Sequence, residues 1–170
     1  THRLLLGSPA IEAGSCTDIA GDPVSTDQRG IARPQDGDGD GNALCDMGAL
    51  EVRRFALNVN TAGSGSGIIT ITPPGADCTS CTQTYSEREQ VSLLATAGPG
   101  STFSGWSGDC SGTNPLVLVT ITDGEKSCTA GFTGIVHPVY RFWSSIFNDH
   151  FYTILEAERD LVNNVWPDYY

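Results

Sequence analysis

Basic residues are few in this chain. Nine Lys plus Arg stand against twenty Asp plus Glu, for a formal charge of −11 over 170 residues. A surface that acidic repels phosphate backbones and attracts cations, which excludes nucleic acid as a partner. Long apolar runs are also missing. The stretch at the N-terminus, Leu4 to Leu6, is far too short to span a bilayer, so no membrane insertion is expected here. No secretory signal pattern opens the chain. The strand-like start at Arg3 to Leu6 and the abrupt close at Trp166 to Tyr170 predict that export signals and any anchor belong to flanking sequence or were removed by processing. Histidine is limited to His2, His137 and His150. A hydrolase reading finds no nucleophile and base among them. Gly105-Trp-Ser-Gly-Asp109 lacks the last glycine of a GxSxG elbow and reads as a turn between strands. His150, beside Asp149, lies in an aromatic run and reads as packed. Glu87 with Glu89, and Glu156 with Glu158, read as solvated surface, because a glycosidase pair needs a deep cleft between its carboxylates. No catalytic residue is expected.

What the chain does have is punctuation and cysteine. Twenty Gly and nine Pro among many Ser and Thr favour turn-rich β-structure, arranged as one ordinary domain or a few small modules with modest cores. The six cysteines fall in local groups: Cys16 and Cys45, Cys78 and Cys81, Cys110 and Cys128. This is the pattern of small modules stapled one by one in an oxidising compartment, hence of a secreted or cell-surface protein. The sequence alone leaves the pairing open. Cys78-Thr-Ser-Cys81 also has zinc-ligand spacing, although a structural zinc site would want a second close pair. A redox site would want one of these thiols at a helix start, and no strand-helix pattern places it there.

The run Asp36-Gly-Asp-Gly-Asp-Gly41 sets alternate carboxylates among glycines, a turn able to wrap oxygens around a hard cation. The expected cofactor is calcium, held by Asp36, Asp38 and Asp40, with a carbonyl near Asn42 and with Asp46 completing the shell. It is not an EF-hand. The twelfth position counted from Asp36 is Met47, where the bidentate Glu belongs, and no helix-forming sequence flanks the loop. The competing reading is a solvated acidic turn that needs glycine for its backbone angles. Cys16 and Cys45 bracket the loop and would close it with or without metal.

Three segments follow from these patterns. The first, residues 1–53, alternates short apolar patches with Gly, Asp and Pro. Its motifs Gly7-Ser-Pro-Ala-Ile-Glu-Ala-Gly14, Thr26-Asp-Gln-Arg-Gly-Ile-Ala-Arg-Pro34 and Cys45-Asp-Met-Gly-Ala-Leu-Glu51 resemble the C-terminal end of bacterial parallel β-helix proteins of the choice-of-anchor Q type. The resemblance implies the terminal rungs of a right-handed β-helix. The second segment, residues 55–133, predicts five or six short strands near 57–60, 67–72, 90–97, 103–106, 116–122 and 126–132, with reversals at Pro73-Pro-Gly75, Gly98-Pro-Gly100 and Asp123-Gly124. Ser101-Thr-Phe-Ser-Gly-Trp-Ser-Gly-Asp-Cys-Ser-Gly112 with Lys126-Ser-Cys-Thr-Ala-Gly-Phe132 resembles the divergent internalin B-type B-repeat of bacterial surface proteins. That resemblance implies a small β-module, β-grasp-like or sandwich-like, serving as a spacer or adhesive unit. Asn114-Pro-Leu116 stands where many such repeats carry a second cysteine, which leaves Cys128 as the partner of Cys110.

The third segment, residues 136–170, is a short aromatic α+β stretch with Tyr140, Phe142, Trp143, Phe147, Phe151, Tyr152, Trp166, Tyr169 and Tyr170. Thr153-Ile-Leu-Glu156 has the form of a capping box. Ile154, Ala157, Leu161, Val162 and Val165 then recur as one face of a helix that Pro167 ends. Val139-Tyr-Arg-Phe-Trp143 with Asp149-His-Phe-Tyr-Thr153 resembles an HFYT-containing repeat domain of unknown function that accompanies secreted bacterial enzymes and adhesins. Trp106, Tyr140, Trp143 and Tyr152 are candidates for stacking on a sugar, against the simpler reading of core packing. Taken together, the chain is expected to be mainly β and non-catalytic, a structural or adhesive segment that spaces other parts of a surface protein. Its expected partners are copies of itself, through open strand edges, or surface glycans. The alternative is a carbohydrate-binding accessory region of an extracellular hydrolase.

Overall fold

Strict alternation shapes residues 54–134. In Gln90-Val-Ser-Leu-Leu-Ala-Thr-Ala97 the side chains of Val91, Leu93 and Ala95 are buried while Leu94 and Thr96 face out, the period of a strand with one wet face. The computed structural model describes residues 2–136, 138–144 and 148–165. It divides into two compact units, Thr1–Gly134 and Ile135–Tyr170.

The first unit contains β1 (Arg54–Ala62), β2 (Gly67–Thr72), β3 (Ala76–Cys78), β4 (Ser80–Ser86), β5 (Gln90–Ala97), β6 (Ser101–Gly108), β7 (Leu116–Thr120) and β8 (Lys126–Gly134). They form two four-stranded sheets, ordered β4-β1-β8-β6 and β3-β2-β5-β7. Every pairing is antiparallel except β1 with β8. The inward residues of both sheets meet in one core: Leu57, Val59 and Phe132 from the first sheet pack with Ile69, Ile71 and Leu93 from the second. No helix lies within 54–134, so the module is sandwich-like and not β-grasp-like. Phe132 fills the space opposite Gly67, where any Cβ would collide with its ring. Burying a ring of that size contributes about 1.5–3 kcal/mol. The Tyr85 hydroxyl donates to the Pro73 carbonyl at 2.7 Å, tying the β2–β3 turn to the core. Burial, with the charge of Glu89, pushes the Tyr85 phenol up.

The strands β3 and β4 are not among those the sequence predicts. Thr82-Gln-Thr-Tyr-Ser86 is mostly hydroxyl and amide, and only its last two residues are buried. It becomes a strand because β1 supplies a hydrogen-bonding edge over seven register pairs, from Arg54 opposite Ser86 to Asn60 opposite Ser80.

Residues 2–53 depart from the expected β-helix rungs. Among the described residues they form no strand, only single antiparallel bridges at Thr17–Pro23, Thr26–Ala32 and Gln35–Leu44. The Gly, Asp and Pro punctuation explains this, since it breaks the chain into turns before any alternation can run. Side chains organise the segment instead. Asp27, with a fully buried side chain, accepts from the backbone N–H groups of Arg29 (2.7 Å), Ile31 (3.0 Å) and Glu51 (3.1 Å). It also pairs with the Arg29 guanidinium at 2.7 Å. Glu51, equally buried, pairs with Arg33 at 3.2 Å and accepts from the N–H groups of Asp46 and Gln35.

The segment is held to the sandwich by Glu87, in the turn between β4 and β5. Its Oε2 receives Arg3 at 2.5 Å, Arg53 at 3.0 Å and Arg29 at 3.2 Å, with only 5% of the side chain exposed. The solvated Glu87 expected from the sequence is therefore corrected. Three arginines converge on it, and their positive charge makes its burial tolerable. Glu89 is turned elsewhere, accepting from the Ser86 N–H at 3.0 Å. Burial alone would raise the carboxyl of Glu87, but Arg53 and Arg3 outweigh it and hold the group below its ordinary value. For Asp27 too, burial is overcome, here by Arg29 and the three backbone N–H groups, and the carboxyl sits well below the usual carboxylate range.

The second unit holds β9 (Tyr140–Ser144), β10 (Asp149–Thr153) and α1 (Glu156–Val165). β9 and β10 form an antiparallel pair in which Phe142 stacks on Phe151, centroids 5.1 Å apart. Thr153 caps the helix differently from the expected box. Its Oγ1 accepts from Leu155 N–H at 3.0 Å and donates to Glu158 at 2.6 Å, so Glu158 takes the role assigned to Glu156. Of the expected apolar helix face only Val162 is buried, while Ile154, Leu161 and Val165 are exposed. Pro167 and the aromatic residues Phe147, Trp166, Tyr169 and Tyr170, like His137, lie outside the described residues.

Both depressed carboxyls contribute stability that is fully present above the unfolded carboxylate value, about 4, and is lost as pH falls through their lower folded values. Glu87→Gln is expected to destabilise the first unit by about 1.5–3 kcal/mol at neutral pH, because it leaves three partly exposed guanidinium groups without the carboxylate they share, and to flatten the acid branch. Arg88, 74% exposed and 4.0 Å from Glu87 Oε1, is the solvated counterpart, and Arg88→Gln should change stability by less than about 1 kcal/mol. Urea unfolding of both variants and the parent at neutral and acid pH checks this, and equal stabilities for parent and Glu87→Gln would contradict it.

Candidate functional site

The acidic run folds into nested turns in which each carboxylate caps backbone further along. Asp36 accepts from Gly39 N–H at 2.6 Å and Gly41 N–H at 3.1 Å. Asp38 accepts from Asp40 N–H at 2.9 Å, and Asp40 from Asn42 N–H at 2.7 Å. This is the turn chemistry Asp favours. Gly39 and Gly41 carry φ of +85° and +94°, which explains the alternation of glycine with aspartate. Gly37 is buried against Ile11 and Val52, so the run is seated on the protein at its start and exposed from Asp38 onward.

The carboxylates that converge are not the expected set. Glu12, Asp38 and Asp40 bring one oxygen each to within 4.8 Å of one another. Glu12 is placed by three contacts: its N–H donates to Asp46 Oδ1 at 2.8 Å, and its Oε1 accepts from the N–H groups of Gly37 at 2.7 Å and Asp38 at 3.4 Å. Its own backbone is left-handed, with φ of 56°. Asp46 is 1% exposed and also accepts from Val52 N–H at 2.6 Å. It supports Glu12 from beneath and lies outside the converging trio. Asp36 is likewise outside the trio, both of its oxygens being engaged by the turn. The Asn42 amide donates to Asp40 at 3.2 Å. Sequence reading missed Glu12 because nothing local ties it to a run that begins twenty-four positions later. Three exposed or half-exposed carboxylates offer hard oxygen donors of the class that calcium takes.

All six cysteines are paired: Cys16–Cys45, Cys78–Cys81 and Cys110–Cys128, with Cα separations of 5.5, 6.1 and 5.1 Å. The zinc and redox alternatives for Cys78 and Cys81 give way to a bond that closes the corner between β3 and β4. Cys16–Cys45 joins the two ends of the stretch that carries the acidic run.

The aromatic candidates differ in their immediate surroundings. Trp106 is 7% exposed, edge-on to Phe103 at 5.6 Å, and its Nε1 donates to the Asn114 carbonyl at 3.0 Å. A ring enclosed in this way has no face to offer a sugar, which corrects its assignment as a glycan residue. Tyr140 is covered by the Arg159 guanidinium, 4.8 Å from its ring, and its hydroxyl accepts from Arg159 at 2.8 Å. The β9–β10 register puts Tyr140 opposite Thr153 on one face, and Trp143 opposite His150 and Arg141 opposite Tyr152 on the other. His150 packs on Trp143 with centroids 4.8 Å apart, while Tyr152 is 61% exposed. Ser107 lies inside β6, away from any strand-to-helix corner.

Among the described residues no helix is long and apolar enough to cross a membrane. No curated protein and no solved structure matches the chain. The resemblances drawn from the flanking segments rest on their motifs alone. Residues 57–136, which take in most of the disulfide-closed sandwich, match the family model of the divergent InlB B-repeat domain.

Proposed function

We propose that this chain is a non-catalytic structural segment of a secreted or surface-displayed bacterial protein. In this reading a B-repeat-type sandwich and the turn-rich segment before it act together as one spacer. The observation that carries it is the convergence of Arg3, Arg29 and Arg53 on Glu87, which joins a strandless segment to the sandwich. The B-repeat match and the three disulfides fit an extracellular setting. Residues 2–53 would then be the closing turns of a β-helix whose rungs lie upstream, handing over to the sandwich without a flexible linker. Limited proteolysis of the oxidised chain tests the joint. Residues 2–134 should persist as one fragment, and early cleavage between residues 50 and 57 would overturn the reading.

Calcium has a structural part in this proposal. Glu12, Asp38 and Asp40 would hold it, and it would tie the exposed turn back to the first residues of the segment. A ligand that binds only the folded state raises stability, by about 2.7 kcal/mol at a hundredfold excess over its dissociation constant. Thermal unfolding should shift upward with added calcium and downward with chelator, and the shift should vanish in Glu12→Gln and in Asp38→Asn. Identical transitions with calcium and with chelator in the parent chain would count against the site.

A further inference from the structure

The strand β7 ends its sheet, so one of its sides is unpaired. Which backbone groups face that side follows from the register. Ala95 N–H donates to the Pro115 carbonyl at 3.0 Å and Ile121 N–H to the Glu89 carbonyl at 2.9 Å. The hydrogen-bonded pairs with β5 therefore fall on odd-numbered residues, through Val117 and Val119. Leu116, Leu118 and Thr120 turn their backbone groups to the open side. Only the Leu116 N–H has another partner, Asn114 Oδ1 at 3.0 Å. The side chains of the same residues stand on the outer face, where Leu118 is 67% and Leu116 51% exposed, with Leu94 and Ile68 extending the apolar strip across β5 and β2.

Two of the other three edges of the four-stranded sheets are blunted in ways that keep strands from pairing, and the third, β4, is polar. β3 has three residues. β6 has a register shift between Phe103 and Gly105, and Gly112 folds back on Trp106. β4 presents Ser80, Thr82 and Thr84 outward, and its Thr84 carbonyl accepts from Arg54 at 2.8 Å. β7 has none of these features. From Asn114 to Thr122 it also carries no charged residue. That neutrality points to the occupant, because copies of a chain with a charge of −11 repel one another, and at this edge they can meet without opposing like charges.

We propose that β7 is a self-association edge, pairing antiparallel with β7 of a second copy about a twofold axis at Leu118. The register is self-complementary. Leu118 exchanges both backbone bonds with its counterpart, Leu116 lies opposite Thr120 on each side, and the two sheets join into one. The apolar strips of the two copies then become continuous. This pairing does not depend on the calcium site or on the spacer reading.

Sedimentation of the full chain over a concentration range reaching the millimolar tests it. The parent should convert from monomer to dimer, and Leu118→Lys should weaken dimerisation by at least about tenfold, since it sets two ammonium groups against each other at the twofold. Circular dichroism of the dilute variant verifies folding, which an exposed site should leave intact. Ile19→Lys, at a still more exposed apolar position outside the sandwich, serves as the charge control and should dimerise like the parent. Both substitutions lower the net negative charge, so general repulsion would drive association the other way. A parent that stays monomeric throughout, as it would if β7 served a strand of a different protein, overturns the proposal. So does a Leu118→Lys variant that dimerises like the parent.

Discussion

One carboxylate carries the architecture of the first unit. Taking Glu87 out of water costs several kcal/mol unless its charge is matched, and the matching groups arrive from residues 3, 29 and 53, all outside the strand pair whose turn it occupies. The pairing continues outward as a chain of contacts. Arg29 holds Asp27, and Asp27 accepts from the backbone of Glu51. Glu51 accepts from the backbone of Asp46, and Asp46 from the backbone of Glu12. Glu12 in turn accepts from Gly37, where the acidic run begins. An exposed cluster of acids is thereby indexed, contact by contact, to a buried ion pair in the sandwich. These acids thus differ in setting: Asp27, Glu51 and Glu87 are buried against arginine, Asp46 is buried on backbone N–H groups, and Asp38 and Asp40 face solvent.

The rest of the stability comes from familiar sources distributed in small amounts. The sandwich has a single core shared by its two sheets, and such small cores leave little margin. Each disulfide closes a local loop: one around the acidic run, one at the β3–β4 corner and one between β8 and the loop after β6. Closing loops restricts the unfolded chain, which helps most where regular hydrogen bonding is sparse. Residues 2–53 are such a region, and there buried carboxylates accepting backbone N–H groups do the work that a strand ladder does elsewhere.

Legibility in the sequence followed the range of the interaction. β2, β5 and β8 could be read because apolar and polar residues alternate within each of them. β4 could not, because its strand character depends on β1 and its own side chains are mostly hydroxyls. The cysteine grouping was legible since partners lie close along the chain. The position of the acidic run was plain, yet its converging donors were not, because Glu12 reaches it from across a long stretch of turns. Glu87 looked like one more surface acid. Its partners at residues 3 and 29 lie 84 and 58 positions away, and no local pattern announces a contact of that range. The rungs expected of residues 1–53 rested on motif resemblance, and the residues themselves offer turns in place of alternation.

The account turns on whether Glu87 holds the strandless segment to the sandwich. Amide hydrogen exchange, followed residue by residue in the parent and in Glu87→Gln, addresses this directly. The expected result is faster exchange in Glu87→Gln at Gly14, Gln28, Glu51 and Val52, whose N–H groups bond within the segment, by a larger factor than at Ile69, Leu93 and Phe132 in the core. Unchanged protection across residues 14–52, or a loss spread evenly over both regions, would contradict it.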